Sequence, residues 1–211
     1  MYEIKNINKS YGKKVVLDNI SFTVKEGTCV GIVGPNGTGK STLLSILAGT
    51  GKCDSGQFVV DGEDLLKNKK MLRQTVGYVP QENPLIEELT VADNLRLWCE
   101  SKKTDFMKEL EEGVLKILKL KDMLYENVCN LSGGMKKRVS IGIALMNKPR
   151  ILILDEPGAA LDIECKNDIK CYLEKYIELG GTVIIASHDD MEIDMCTEVI
   201  HMTGTNERNG D

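Results

Sequence analysis

The chain has 211 residues, 42% of them hydrophobic, and a formal net charge of −5. This is enough apolar material for one α/β domain with a sizeable interior, and the acidic balance gives no global electrostatic case for a nucleic-acid partner. No apolar stretch approaches the ~18 residues that a membrane-spanning helix needs, and the N-terminus reads as no secretory leader. Seven cysteines (29, 53, 99, 129, 165, 171 and 196) without a C-x-x-C pair fit free thiols in a reducing cytoplasm. Cys29, inside an apolar run, suits a small buried hydrophobe. The basic clusters KNKK (67–70) and KKR (136–138) are expected as solvated faces.

In chain order, YEIKNI and NISFTVKEG alternate polar and apolar residues, which predicts short antiparallel strands over roughly 2–33. TCVGIV reads as a buried strand feeding GPNGTGKS, and Leu43, Ile46 and Leu47 then fall on one helical face. SGQFVVDGEDL (55–65) predicts a further strand with a turn at Asp61-Gly62, and TVGYVP a strand stopped at Pro80. From Thr90 to about Leu124 the period becomes helical, with Thr90-x-x-Asp93 as a capping box and Leu110, Val114, Ile117 and Leu118 as an apolar face. ILIL (151–154) and TVIIAS (182–187) are short and wholly apolar, as parallel strands covered on both faces should be. Between them Ile169, Tyr172, Leu173, Tyr176 and Ile177 keep helical spacing up to Gly180-Gly181, completing a βαβ unit. The expectation is one domain over 1–211: a mostly parallel sheet flanked by helices, an N-terminal antiparallel β portion and a helical insertion at about 82–148.

The segment GPNGTGKS matches G-x-x-x-x-G-K-[ST] through Gly34, Gly39, Lys40 and Ser41, in the strand-loop-helix context the pattern requires. A chance match in a chain of this length is on the order of one per cent or less. N–H groups around Gly37 to Lys40 would point inward beside a helix N-terminus, Lys40 would reach the terminal phosphates, and the Ser41 hydroxyl would hold Mg²⁺. Asp155-Glu156 follows ILIL at a strand's carboxyl end, where ligands of open α/β sheets gather. Asp155 is expected on Mg²⁺ and Glu156 as the group that polarises a water for attack on the γ-phosphorus, the alternative being two acids capping the next helix. His188 follows TVIIAS in the same position and would contact the γ-phosphate or orient Glu156; His201 has no such company. In LSGGM (131–135), Ser132 caps a helix that starts at glycines, which makes a second anion site or an ordinary loop.

In this order the pieces resemble one family, the ATP-binding subunits of ABC transporters, over nearly the whole chain. GPNGTGKS looks like its Walker A, YVPQE its Q-loop, LSGG its signature motif, ILILDEP its Walker B, AALD its D-loop and SHD its H-loop. The resemblance implies a P-loop NTPase with a RecA-like core, an N-terminal antiparallel β subdomain and an inserted α-helical subdomain. It implies ATP and Mg²⁺ as ligands, with Gly34, Asn36, Gly37, Thr38, Gly39, Lys40, Ser41 and Thr42 around the phosphates and Tyr11 stacked on adenine. It places Gln81 in the Mg²⁺ and attacking-water region, where it senses a transmembrane partner. Asp162 would lie at an interface between two copies, or cap the helix that follows, and both roles are compatible. Ser132, Gly133 and Gly134 of one subunit would close over the γ-phosphate held by the other, in a head-to-tail pair of ATP-binding subunits, expected to be a homodimer. An integral membrane permease would hold that pair at the inner face of the membrane.

There are departures. Met135 stands where the commonest pattern has Gln, and GMKKR, PQEN and TVADNLRLW look more like exporter-type members with separate permeases. Gly158-Ala159 replaces the usual Thr-Ser or Thr-Ala, and the chain ends soon after His188, as a trimmed or short C-terminus would. The rival reading is an ABC-type ATPase in nucleic-acid or translation work. The roughly 50 residues from Gln81 to Leu131 hold a small helical subdomain and not a long coiled coil, and the chain carries one cassette. A small-molecule kinase would leave LSGG and SHD without a purpose.

Overall fold

A computed structural model describes residues 1–98, 106–111 and 116–203. Strand β1 (Tyr2–Tyr11) pairs antiparallel with β2 (Lys14–Val24) and, on its other edge, with β4 (Ser55–Val60), which continues into the short β5 (Glu63–Asp64). The predicted turn at Asp61-Gly62 is present: both residues have positive φ, 53° and 83°, the backbone that a two-residue hairpin needs.

A second sheet is parallel, in the order β6 (Val76–Val79), β7 (Ile151–Asp155), β8 (Thr182–Ala186), β3 (Cys29–Val33), β9 (Glu198–His201). Its strands read as unbroken apolar runs because the two faces pack into different cores. Ile151, Ile153, Ile184 and Ile32 point toward the antiparallel sheet and α1 (Lys40–Leu47). Their neighbours Leu152, Leu154, Val183 and Ile185 join α3 (Val91–Trp98), α5 (Gly133–Leu145) and α6 (Ile163–Glu178) on the other side. Helix α2 (Lys69–Thr75) precedes β6, and α4 (Phe106–Glu111) follows α3.

The helical period expected from Thr90 to about Leu124 is shared among several elements, among them α3, α4 and a 3₁₀ turn. Thr90 does cap α3, its hydroxyl accepting from the Asp93 N–H at 3.1 Å and donating to the Asp93 carboxylate at 2.6 Å. Beyond α4 the chain turns at Lys119, whose φ of 52° is left-handed, into a 3₁₀ turn over Leu120–Met123. Leu110 and Leu118 are buried as expected, while Val114 lies outside the described residues. Helical period continued in the sequence because the 3₁₀ turn keeps Leu120, Met123 and Leu124 on one buried side.

The KKR cluster is also corrected. Residues 67–70 are exposed, but Lys137 is only 3% exposed and lies on the buried stripe Gly134, Lys137, Ile141, Leu145 of α5. Among the described residues six cysteines are free, and Cys29 is buried, with its Sγ 3.2 Å from that of Cys196. No helix among those residues is long and apolar enough to cross a membrane.

Candidate nucleotide site

Parallel strands deliver their carboxyl ends to one edge, and here four of them do so. β3 ends in the glycine loop, β7 in Asp155-Glu156, β8 in Ser187-His188, and β6 in Pro80-Gln81. A cleft of about 330 Å³ opens at this edge, lined by Asn36, Lys40, Ser41, Thr42, Gln81 and Glu156 among others.

The loop's glycines are held for different reasons. A Cβ on Gly34 would stand 2.3 Å from the Met202 carbonyl oxygen, and one on Gly39 would strike Leu17 and Val16 of β2. Gly37 has open space around it but a φ of 84°, so the backbone conformation alone asks for glycine there. Helix α1 starts at Lys40 with no side-chain cap and no acid in its first turn, leaving its N–H groups to an anion. The Thr38 hydroxyl donates to the Pro35 carbonyl at 3.0 Å, and the buried Lys40 ammonium donates to the Gly34 and Pro35 carbonyls at 2.7 and 3.3 Å. The cation is thus fixed at the mouth of the loop.

Asp155 is 3% exposed, and its Oδ1 finds no hydrogen-bond partner among the described residues. Burial pushes its carboxyl above the usual aspartate range, while the Ser41 hydroxyl, Lys40 and Lys137 pull it back. A buried, orphaned carboxylate oxygen beside a serine hydroxyl fits Mg²⁺, a hard cation that takes one or two protein oxygens and completes its shell with phosphates and water. Among the described residues there is no group of three or more His, Cys, Asp or Glu that could hold a metal ion.

Glu156 occupies a left-handed backbone position, φ 48°, with its N–H donating to the Ala186 carbonyl at 2.9 Å. That turn carries its side chain, 11% exposed, to the cleft, where Oε2 lies 2.6 Å from His188 Nδ1. Ser132 caps α5 by accepting from the Met135 N–H at 3.3 Å, and Ser132 and Gly133 are exposed. Neither they nor Gly134 line the cleft. Asp162 caps α6, accepting from the Cys165 N–H at 2.8 Å. Tyr11, 59% exposed, sits at the β1–β2 turn; Lys14 and Val16 of the same hairpin line the cleft, and Tyr11 itself does not.

Three contributors escaped the sequence reading. Lys14 gives no sequence signal. Lys137 does, through its i−3 and i+4 spacing from Gly134 and Ile141 on a buried stripe. Glu192 is 1% exposed behind Ser187, whose hydroxyl donates to its Oε2, while its Oε1 is unpartnered among the described residues. A second, larger groove of about 540 Å³ has walls that include Tyr78, Pro80, Pro84, Trp98 and Ile143.

A family model described as ABC transporter matches residues 17–159. The chain belongs to the ABC transporter family. The cassette is 38% identical over 202 residues, 95% of its length, to the linearmycin resistance ATP-binding protein LnrL of Bacillus subtilis (strain 168), of which it covers 65%. It is 39% identical over 193 residues to the spermidine/putrescine import ATP-binding protein PotA of Spiroplasma citri, covering 90% of this chain and 55% of PotA. The chain therefore spans between about half and two thirds of the length of these relatives. Among solved structures, the dimeric post-hydrolysis state of the ATP-binding cassette MJ0796 bound to ADP and Pi superposes with a TM-score of 0.84 at 30% identity, covering 96% of this chain and 94% of that one. The α/β cassette fold, with its antiparallel and parallel sheets, is that of this family.

Proposed function

We propose that this chain is the Mg²⁺-dependent ATPase subunit of a transporter, working as a head-to-tail pair on a separate integral membrane permease at the inner face of the membrane. The observation that carries the reading is the split of the motifs. Lys40, Ser41, Gln81 and Glu156 line one cleft, whereas Ser132, Gly133 and Gly134 open an exposed helix N-terminus outside it. A second copy is the natural supplier of that lid, and the dimeric ADP-bound relative supports the arrangement.

In this reading the loop N–H groups and Lys40 hold the phosphates, and Tyr11 meets the adenine from the hairpin rim. Ser41, Asp155 and Gln81 would hold Mg²⁺, which would supply neutralisation of the phosphate charge. The Glu156 carboxylate takes the proton of a water that attacks the γ-phosphorus in line, breaking the bond to ADP. His188, donating to the other face of that carboxylate, keeps it aimed. Ser132 of the partner subunit adds a hydroxyl and helix N–H groups to the γ-phosphate, so ATP closes the pair and its hydrolysis releases it. Asp162, already engaged as a cap, stands beside the contact between copies. The apolar groove starting at Pro80, one residue from Gln81, takes a helical segment of the permease.

Glu156→Gln decides the matter, because glutamine keeps the shape and loses the proton acceptor. Turnover should fall about 10²-fold or more, and size-exclusion chromatography should show a dimer only with ATP. A variant that stays monomeric with ATP and keeps full turnover would overturn both the base and the shared site.

A further inference from the structure

Lys137 is a lysine where a helix of this fold buries its stripe, and nothing in the chemistry described so far uses it. Its ammonium donates to the Pro80 carbonyl at 3.2 Å and to the Gln81 carbonyl at 3.0 Å. One turn further along α5, the Ser140 hydroxyl donates to Asn83 Oδ1 at 2.9 Å. From α3, the fully buried Asn94 accepts from the Ile86 N–H at 2.9 Å and donates to the Ile86 carbonyl at 3.0 Å. The segment from Pro80 to Ile86 is therefore fastened at three points to the helices beyond it, while β6 fastens its leading end to the parallel sheet.

Burying an ammonium is costly unless it is satisfied, and burial does pull Lys137 below the usual lysine range while Asp155 and Glu192 hold its proton on. A neutral donor would secure the two carbonyls at lower cost. What the ammonium adds is one group that joins two successive backbone carbonyls, Pro80 and Gln81, to the helix whose N-terminus is Ser132-Gly133-Gly134.

We propose that Lys137 is a positioning residue for hydrolysis: its buried ammonium clamps the Pro80-Gln81 backbone, sets the Gln81 side chain at the phosphate cleft and ties it to the signature helix α5. An anion engaged by that helix in the partner's site then bears directly on Gln81 of the same chain. The inference rests on the reading of Gln81 given above.

The test combines Lys137→Met and Lys137→Gln with Gln81→Ala, reading kcat, nucleotide affinity without Mg²⁺, and Tm. Lys137→Met should lower kcat about 10-fold or more, as misplacement of a positioning group does, with affinity unchanged within about twofold. Lys137→Gln, which restores a donor without a buried charge, should recover part of the loss. In the Gln81→Ala background neither change should lower kcat further, because the clamp acts through Gln81. Additive losses in the double variants, or a wild-type kcat in Lys137→Met, would overturn the proposal. A wild-type kcat in Gln81→Ala alone would instead remove Gln81 from the site and the clamp's purpose with it. Should the methionine variant not fold, the glutamine variant is judged by the same comparison.

Discussion

Glu192 shows how the surroundings of one side chain can work against its charge. Burial pushes its carboxyl above the ordinary glutamate range; the Ser187 hydroxyl opposes that shift, and the Asp189 and Glu156 charges add to it. Its Oε1 faces Gly158, whose backbone also opposes the shift and where a Cβ would stand only 2.5 Å away. The Gly158 that departs from the family's usual threonine therefore leaves room for this carboxyl. Because the folded state raises this pKa, the protonated form contributes stability at low pH, and the contribution is lost as pH climbs through the folded value. Glu192→Gln mimics the protonated group. Thermal unfolding at pH 8 should place its Tm at or above the wild type's, with the difference shrinking toward pH 5. A lower Tm at pH 8 would mean that the fold uses the ionised form.

At the scale of elements, the two glycines of LSGG are not equivalent. A Cβ on Gly133 would meet only Leu161 at 3.5 Å, whereas one on Gly134 would stand 2.2 Å from Cys165 Sγ. Gly134 thus sets the approach of α5 to α6, and Gly134→Ala should cost about 1–3 kcal/mol of overpacking in chemical denaturation. Pairing it with Cys165→Ala should return part of that stability; no recovery would place the strain elsewhere. The sequence could not separate these glycines, since both sit in a motif whose phosphate role explains them equally well. Strands β7 and β8 were legible because burial on two faces leaves an unbroken apolar signature. The break at Lys119 within the helical period was not, because a left-handed residue and a 3₁₀ turn leave the spacing of buried leucines almost unchanged.

For the whole molecule, the order β6-β7-β8-β3-β9 explains why so much of the candidate site could be read in advance. The glycine loop, Gln81, Asp155-Glu156 and His188 each follow a strand's carboxyl end, and a parallel sheet with one direction brings such ends together, whereas LSGG and Asp162 open helices elsewhere. Contacts that join distant segments without a motif are harder to read: Lys137 meets a carbonyl 56 positions away, and its basic neighbours Lys136 and Arg138 made it look like solvent-facing charge despite its place on a buried stripe. The groove is of this kind too, assembled from α2, β6, α3, α5 and the turns that follow α1 and α5. The chain contains one tryptophan, and Trp98 stands half-exposed at the rim of that groove. The molecule thus carries its own fluorophore at the place where a membrane partner would settle. Seating a permease segment there should move the emission to shorter wavelength and shield it from acrylamide, a label-free optical titration of assembly. An unaltered spectrum on binding would put the meeting point on another face.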